Sequence, residues 1–444
     1  MIDYSDNGRR AFIKKSAIGV AGMAFAGNVM ASGIVGANDK INVGIIGLRS
    51  RAKAHLGALA KCRNVNVIAI CDVDKRFLEE FSKLVEKDFG KAPKYYKDYR
   101  KLLEDKNIDL ITIATPEHWH TIMAIDSVKA GKHVYVEKPC SHNPHECELI
   151  VEAQKKYGKL IQMGNQQRSS STTKEAVARI QAGDIGDAVY GKSWYANSRG
   201  SIGRGKQIPV PDYLDWELWQ GPAPRRPYAD NIHPYNWHWF KDYGTGEALN
   251  NALHEIDVCM WALGVSTPDS ITSTGGRFHF KDDDWEFFDT QTFSLDYNEG
   301  KQIVWEGRSC NGMPFYGRGR GATIHGTKGT FLIDRNGYEL YDLGGKKLET
   351  VSEKEKSATT NTVGMGGLDV LHMQNLLDGI REGKSLHSPI EVGALHTKMC
   401  LISNIAQFEG KTIELNRTDA SLKDKKLNKK YWSREYAKGW EIKL

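Results

Sequence analysis

"INVGIIGLRSRAKAHLGALAKCRNVNVIAICD", residues 41–72, decides the fold. Two short apolar runs, INVGIIG and VNVIAICD, bracket a helix-like stretch from about Arg51 to Lys61. Unbroken apolar runs of this length suit strands buried on both faces, as in a parallel sheet. The alternation continues, with helical periodicity over Lys75–Phe89, a strand in IDLITIATP (108–116), a helix over His118–Ala130 before Gly131, and a strand in HVYVEKP (133–139). Strand and helix taken in turn predict a doubly wound α/β domain, a Rossmann dinucleotide-binding unit over residues 38–163.

The first strand–helix turn carries the cofactor expectation. In the fingerprint G-x-G-x-x-G the first glycine makes the tight turn, the second admits the pyrophosphate, and the third lets helix and strand pack. Gly47 fits the first place and Ala52 the third, but Arg49 occupies the second. Asp72 ends the next strand about 25 residues on, where a carboxylate binds the ribose hydroxyls and repels a 2′-phosphate. The predicted cofactor is therefore NAD rather than NADP, held by Gly47, Leu48, Arg49, Ser50, Arg51 and Asp72, with Arg49 lying along the phosphates.

Lys138 closes an apolar strand and is followed by proline. A strongly hydrated cation there must be solvated, paired or chemically employed. The carboxyl end of a parallel strand, where ligands bind in open α/β sheets, favours the third, with a solvated surface lysine as the competing reading.

From residue 164 the texture changes. A helix is expected near Lys174–Ala182, then longer alternating runs: AVYGKSWYAN (188–197), SITSTGGRFHF (270–280), DTQTFSLDY (289–297) and KQIVWEGRS (301–309). These predict a C-terminal α+β domain, residues 164–415, with a large open, mostly antiparallel sheet. GRGRGATIHGTKGTFLID (317–334) reads as strands and a hairpin, because no GK[ST] follows its glycines. Helical periodicity from Glu247 to Leu263 places Leu249, Leu253, Ile256, Met260 and Leu263 on one apolar stripe. Asn250, His254, Asp257 and Trp261 fall on an adjacent stripe and can reach one pocket, though a hydrogen-bonded structural histidine is an alternative for His254. Softer candidates for sugar contact are Gln166 and Arg168, Asn197 and Arg199, and the pocket-walling Trp237, His238 and Trp239. Helices are expected over Val370–Gly379 and Glu391–Phe408, a mobile loop over Glu353–Gly367, and a tail over 416–444 that wraps the body or a neighbouring subunit.

With 444 residues, 26% of them charged, and a formal net charge of +6, the chain carries no basic block interleaved with aromatics, so nucleic acid is not an expected partner. Seven scattered cysteines without a CxxC pair indicate neither a zinc site nor a disulfide framework, and no metal is expected. GRRAFIKKSAIGVAGMAFAGNVMASGIVGA (8–37) resembles a twin-arginine export signal, with cleavage expected near Ala37 and no stable membrane span after processing. A periplasmic or otherwise exported protein is the expectation.

TPEHWH (115–120), AGKHVYVEKP (130–139) and the export signal together resemble the Gfo/Idh/MocA oxidoreductases, from about Ile41 to about Gly410. The resemblance implies that Lys138 reaches the reacting hydroxyl and that Thr115, Pro116 and His120 line the nicotinamide pocket. It also implies that His254 is an acid/base, while the position of Glu137 beside the lysine lets it hold that side chain or the ribose, and Gln166 is expected at the cofactor. Related dehydrogenases carry an Asp-x-x-x-His pair where this chain has Asn250 and His254, and many carry asparagine where it has Glu117. The implied activity is hydride transfer between a secondary hydroxyl of a sugar, glycoside or cyclitol and tightly held NAD. One alternative is a redox-neutral glycosidase working through a transient 3-keto sugar; another is a non-catalytic sugar-binding relative. A homo-oligomer, dimer or tetramer, is expected through the exposed second-domain sheet.

Overall fold

Burial dictates the first sheet. Every residue of β1 (Ile41–Ile46) except Asn42 is buried, as is all of β4 (Leu110–Ile113). β2 (Val65–Cys71), β3 (Lys94–Tyr96), β5 (His133–Val136) and β6 (Ile161–Met163) complete a parallel sheet in the order β3-β2-β1-β4-β5-β6. This computed structural model describes residues 40–354 and 366–444. The expected export signal and most of the expected Glu353–Gly367 loop lie outside the described residues. The order reverses beside β1, and the crevice above the carboxyl ends of β1 and β4 is where such sheets bind ligands.

Helices start and stop where their caps allow. Lys75–Phe89 begins at Asp74, whose side chain accepts from the Arg76 amide, and ends at left-handed Gly90. Pro144–Tyr157 begins at Asn143 with proline in the first turn and ends at Gly158. The edge strand β3 escaped the sequence reading: it is three residues long, and its Lys94 and Tyr95 are exposed.

The second sheet has nine strands in the order β14-β13-β12-β11-β7-β10-β9-β8-β15. They are β7 (Ala188–Ala196), β8 (Ser270–Gly276), β9 (Thr290–Tyr297), β10 (Lys301–Arg308), β11 (Arg320–Gly326), β12 (Thr330–Asp334), β13 (Gly337–Tyr341), β14 (Lys347–Ser352) and β15 (Ile413–Glu414). β7 and β10 run parallel, and the other pairs are antiparallel. Gln291, Phe293, Leu295 and Tyr297 alternate inward along β9, as a sheet covered on one face requires. The helices Leu253–Leu263 and Ile390–Glu409 share the buried core with that inner face.

One departure bears on the site. The helix expected from Glu247 begins as a wide π turn over Ala248–Ala252 and becomes α-helical at Leu253–Leu263. Such wide turns concentrate at functional sites. The tail packs on the body of its own chain: Arg434 pairs with Glu146 at 2.8 Å, and Trp440 meets Trp119 edge-on at 5.0 Å. Among the described residues no helix is long and apolar enough to cross a membrane.

Candidate active site

The carboxyl ends of β1, β2, β4, β5 and β6 open onto one crevice with about 1640 Å³ of open space. The turn after β1 supplies Gly47, Leu48, Arg49, Ser50 and Arg51. The following ends supply Asp72; Thr115, Pro116 and Glu117; Glu137 and Lys138; and Gln166. Asn250 and His254 close the crevice from the helix on the second sheet.

Gly47 has φ +81°, and a Cβ there would lie 2.7 Å from the Ala114 carbonyl carbon and the Thr115 nitrogen, so only glycine fits. The helix Ser50–Leu59 has no side-chain cap, which leaves its leading N–H groups and positive dipole end facing the crevice. Asp72 accepts from the Leu48 amide at 2.7 Å and the Asp74 amide at 2.9 Å, one on each oxygen. Burial pushes its carboxyl up to about 6 against those hydrogen bonds. A carboxylate has further lone pairs for ribose hydroxyls. Arg49 tolerates the second-glycine place at φ −87°, because its side chain swings to the Pro234 carbonyl, 3.0 Å away. The donor set fits NAD.

Glu137 is buried at the centre of a polar network. Its Oε1 accepts from Arg51 Nε at 2.7 Å, from His55 at 2.9 Å, and from Gln166 at 3.3 Å. Burial alone would raise its carboxyl, but the Arg51 guanidinium and His55 hold it well below the usual carboxylate range. Arg51 is clamped on its other side by Asp369.

Lys138 Nζ donates to both the backbone carbonyl and the Oδ1 of Asn250, the latter at 3.1 Å. Burial pulls its ammonium down to about 8, with Glu117 and Glu137 holding it up. Glu117 accepts from the Thr245 hydroxyl, and burial pushes it up to about 7 although Lys138 opposes the shift. His254 is 3% exposed, and neither ring nitrogen has a partner among the described residues. Burial, then the Arg335, Arg320 and Lys138 cations, hold it far below its ordinary value, so the ring is neutral.

The Rossmann model of an oxidoreductase family matches residues 41–165, and the GFO/IDH/MocA C-terminal domain matches residues 173–332. The chain belongs to the Gfo/Idh/MocA oxidoreductase family. It carries that family's NAD-binding Rossmann domain, and its cofactor is NAD. A glycosyl hydrolase family 109 protein of Akkermansia muciniphila is 22% identical over 403 residues, covering 84% of this chain and 80% of that protein. An alpha-N-acetylgalactosaminidase of Tannerella forsythia is 23% identical over 430 residues, covering 85% and 89%. A levoglucosan dehydrogenase in complex with NADH and levoglucosan shares the fold at a TM-score of 0.65, with 19% identity and coverage of 85% and 99%. An aldose-aldose oxidoreductase from Caulobacter crescentus gives a TM-score of 0.65, 16% identity, and coverage of 85% and 100%.

Several expected contacts lie elsewhere. Arg168 does not reach the crevice: its Nε donates to both oxygens of buried Asp257 at 2.9 and 2.8 Å, and its guanidinium lies over Trp261. A buried carboxylate demands such a counter-charge. Asp257 and Trp261 therefore leave the polar stripe, and only Asn250 and His254 of it face the crevice. Asn197 is turned onto the Tyr195 hydroxyl at 2.6 Å. Arg199 pairs with Glu247 and donates to the Tyr235 hydroxyl at 3.1 Å, so it braces a lining residue without lining the site. Trp239 is 1% exposed and stacked on Trp285, and is core. Trp237 does line the crevice, stacked on His238. His120 lines it too, but its ring nitrogens face the Thr115 and Pro139 carbonyls, buckling two strand ends together.

The sequence reading missed Trp219, His233, Tyr235, Arg335 and Asp369 on the crevice wall. Extending the aromatic cluster at Trp237 back through His233 and Tyr235 would have found two of them. Arg335 sits in a hairpin turn, which reads in sequence as solvent-facing.

Proposed function

We propose that the protein oxidises a secondary hydroxyl of a sugar, glycoside or cyclitol, with Lys138 and His254 as its catalytic residues and Asn250 as the positioning residue between them. The observation that carries this reading is that Lys138 and His254 face one crevice, with Asn250 bonded to the lysine. NAD, when bound, supplies the two-electron acceptor. The carbinol oxygen must shed a proton as its carbon is oxidised. The Lys138 ammonium stabilises negative charge developing on that oxygen, and the neutral, unpartnered His254 imidazole takes the proton. Asn250 aims the ammonium but, being uncharged, does not make His254 more basic as an aspartate would. Gly47, Ser50, Arg51 and Asp72 hold the dinucleotide; Glu137 and Gln166 hold its ribose end; Trp237 walls the sugar. The protein is exported, retains its cofactor tightly, and assembles as a homo-oligomer through the open face of the nine-stranded sheet.

A second reading is favoured by the relatives named as glycosyl hydrolases, which align over most of their length. Oxidation at C3 acidifies the C2 hydrogen. Loss of that proton expels the glycosidic substituent, water adds, and the ketone is reduced again. Both readings start from the same oxidation. Holoprotein given a panel of aryl glycosides, followed by absorbance of the retained cofactor and by product analysis, separates them. Ketone in stoichiometric amount supports the dehydrogenase, and continuous aglycone release without net NADH supports the glycosidase. A cofactor spectrum unmoved by every sugar, with no product formed, overturns both.

A further inference from the structure

Arg335 occupies the turn between β12 and β13, yet it is 7% exposed and lines the crevice. Its Nε is sealed from solvent without a partner, and among the described residues its guanidinium makes no hydrogen bond or ion pair. The nearby charges do not supply one. Glu255 is bonded through Oε1 to Arg320 at 2.7 Å, with its Oε2 unbonded to either guanidinium, and Asp369 is bonded to Arg51. Arg320, 4% exposed, adds two further nitrogens, Nη1 and Nη2, that also lack partners. Beside them stands His254, with both ring nitrogens free. Burial and the neighbouring Arg320 weaken the Arg335 cation, pulling it down to about 9.

A buried, unpaired guanidinium is unfavourable unless something pairs with it. Arg335 and His254 line the crevice with buried Arg320 beside them, and against the two guanidinium groups one carboxylate oxygen, Glu255 Oε2, is left without a hydrogen bond. The arrangement is complementary to an anion that arrives with the ligand. Arginine's planar fork matches a carboxylate or sulfate through two parallel hydrogen bonds. The cofactor's phosphates have their own seat at the uncapped helix after β1, in the first sheet. Arg335 comes from the second sheet, on the same wall as His254, where the sugar belongs.

We propose that Arg335, backed by Arg320, seats an anionic substituent of the sugar, so that the substrate class is acidic: a hexuronic acid unit through its carboxylate, or a sulfated sugar through its ester. The proposal deepens, and rests on, the assignment of this crevice as a sugar-oxidising site. Glu255 keeps Arg320 oriented, and the free face of Arg335 receives the ligand oxygens.

The test is calorimetric binding to the NAD-loaded holoprotein, using matched methyl glycosides: glucuronide against glucoside, galacturonide against galactoside, and glucoside 6-sulfate against glucoside. An acidic member is expected to bind at least tenfold more tightly than its neutral partner, and whichever anion gains more identifies the source. In Arg335→Gln the acidic-to-neutral ratio collapses toward one, while Arg335→Lys restores part of it; both variants keep the wild-type NAD content and melting temperature. Equal binding of acidic and neutral partners, or no binding of any acidic glycoside, overturns the proposal. So does loss of NAD from folded Arg335→Gln, which would assign the guanidinium to the dinucleotide phosphates. Cofactor absorbance recorded on the same samples keeps the two readings apart. If the spectrum never moves while acidic sugars bind preferentially, the redox reading fails and the anion seat stands.

Discussion

The ammonium of Lys138 is held 3.1 Å from the Oδ1 of Asn250, across the gap between the parallel sheet and the helix on the second sheet. Asn250 lies in the wide π turn, and its backbone carbonyl accepts from the same ammonium. The lysine that closes β5 is thus half-buried, bonded and aimed by the opposite wall. Lys138→Met is predicted to lower kcat by about 10²-fold or more while leaving bound NAD in place, as the general acid–base contribution implies. Single-turnover appearance of the reduced cofactor's absorbance on adding sugar measures it, and a variant with wild-type turnover would remove Lys138 from the chemistry.

The same burial sets a pH dependence. With Lys138 pulled down to about 8, its protonated fraction falls as pH rises through that value. Oxidation that needs the ammonium should therefore decline on the alkaline side near pH 8. Glu117 is pushed up to about 7 by burial, and once ionised it supports the ammonium by attraction. Glu117→Gln removes that support, so the ammonium loses its proton more readily and the alkaline limb moves to lower pH. A kcat/KM profile of the two proteins shows the displacement; a limb moved upward contradicts the assignment.

Most of the scaffold is legible because burial writes it into local pattern. The unbroken apolar runs of β1 and β4, the aspartate and glycine caps of Lys75–Phe89, and the alternation along β9 are single-segment signals. The site is legible only in part, because its contacts join segments distant in sequence. Asn250 and His254 read correctly as neighbours on one helix. Arg168 did not: nothing near it announces that Asp257, 89 positions away, is a buried carboxylate needing a cation. Trp237 and Trp239 look equivalent in sequence, yet stacking against Trp285 makes one of them core. Arg335 was invisible for the converse reason, since a hairpin turn gives no local sign that a crevice lies beneath it.

Gly47 offers a test of the cofactor seat that avoids the catalytic groups. Its φ of +81° and the 2.7 Å approach to the Thr115 nitrogen leave no room for a methyl group. Gly47→Ala must either strain this backbone by ~1–3 kcal/mol or push the β1 turn away from β4. Since the displaced turn is the phosphate seat, purified Gly47→Ala should contain far less NAD than wild type, as read by absorbance after denaturation. Full occupancy would mean that the dinucleotide does not rely on this turn.

The Arg168–Asp257 pair gives the opposite expectation. Asp257 is 1% exposed and accepts from both Arg168 and His396, the latter at 2.7 Å. The two bonds tie the segment after β6 to the helices Leu253–Leu263 and Ile390–Glu409. Removing one member leaves an uncompensated buried charge, which typically costs ~3–5 kcal/mol. Arg168→Met should lower the unfolding free energy by about that amount, because the Asp257 carboxylate keeps only His396. Asp257 is held below its usual range by Arg168 and His396 against the upward pull of burial. Its contribution to stability is therefore present above the unfolded carboxylate value and is lost as pH falls through the lower folded one. Arg168→Met should consequently lose most relative to wild type at neutral pH, with the gap narrowing in acid. Sugar KM at a temperature where both proteins are folded should be unchanged, since the guanidinium does not reach the crevice. Denaturant unfolding at pH 7 and pH 4 reads the first effect and steady-state kinetics the second; a raised KM with undiminished stability would return Arg168 to the substrate wall.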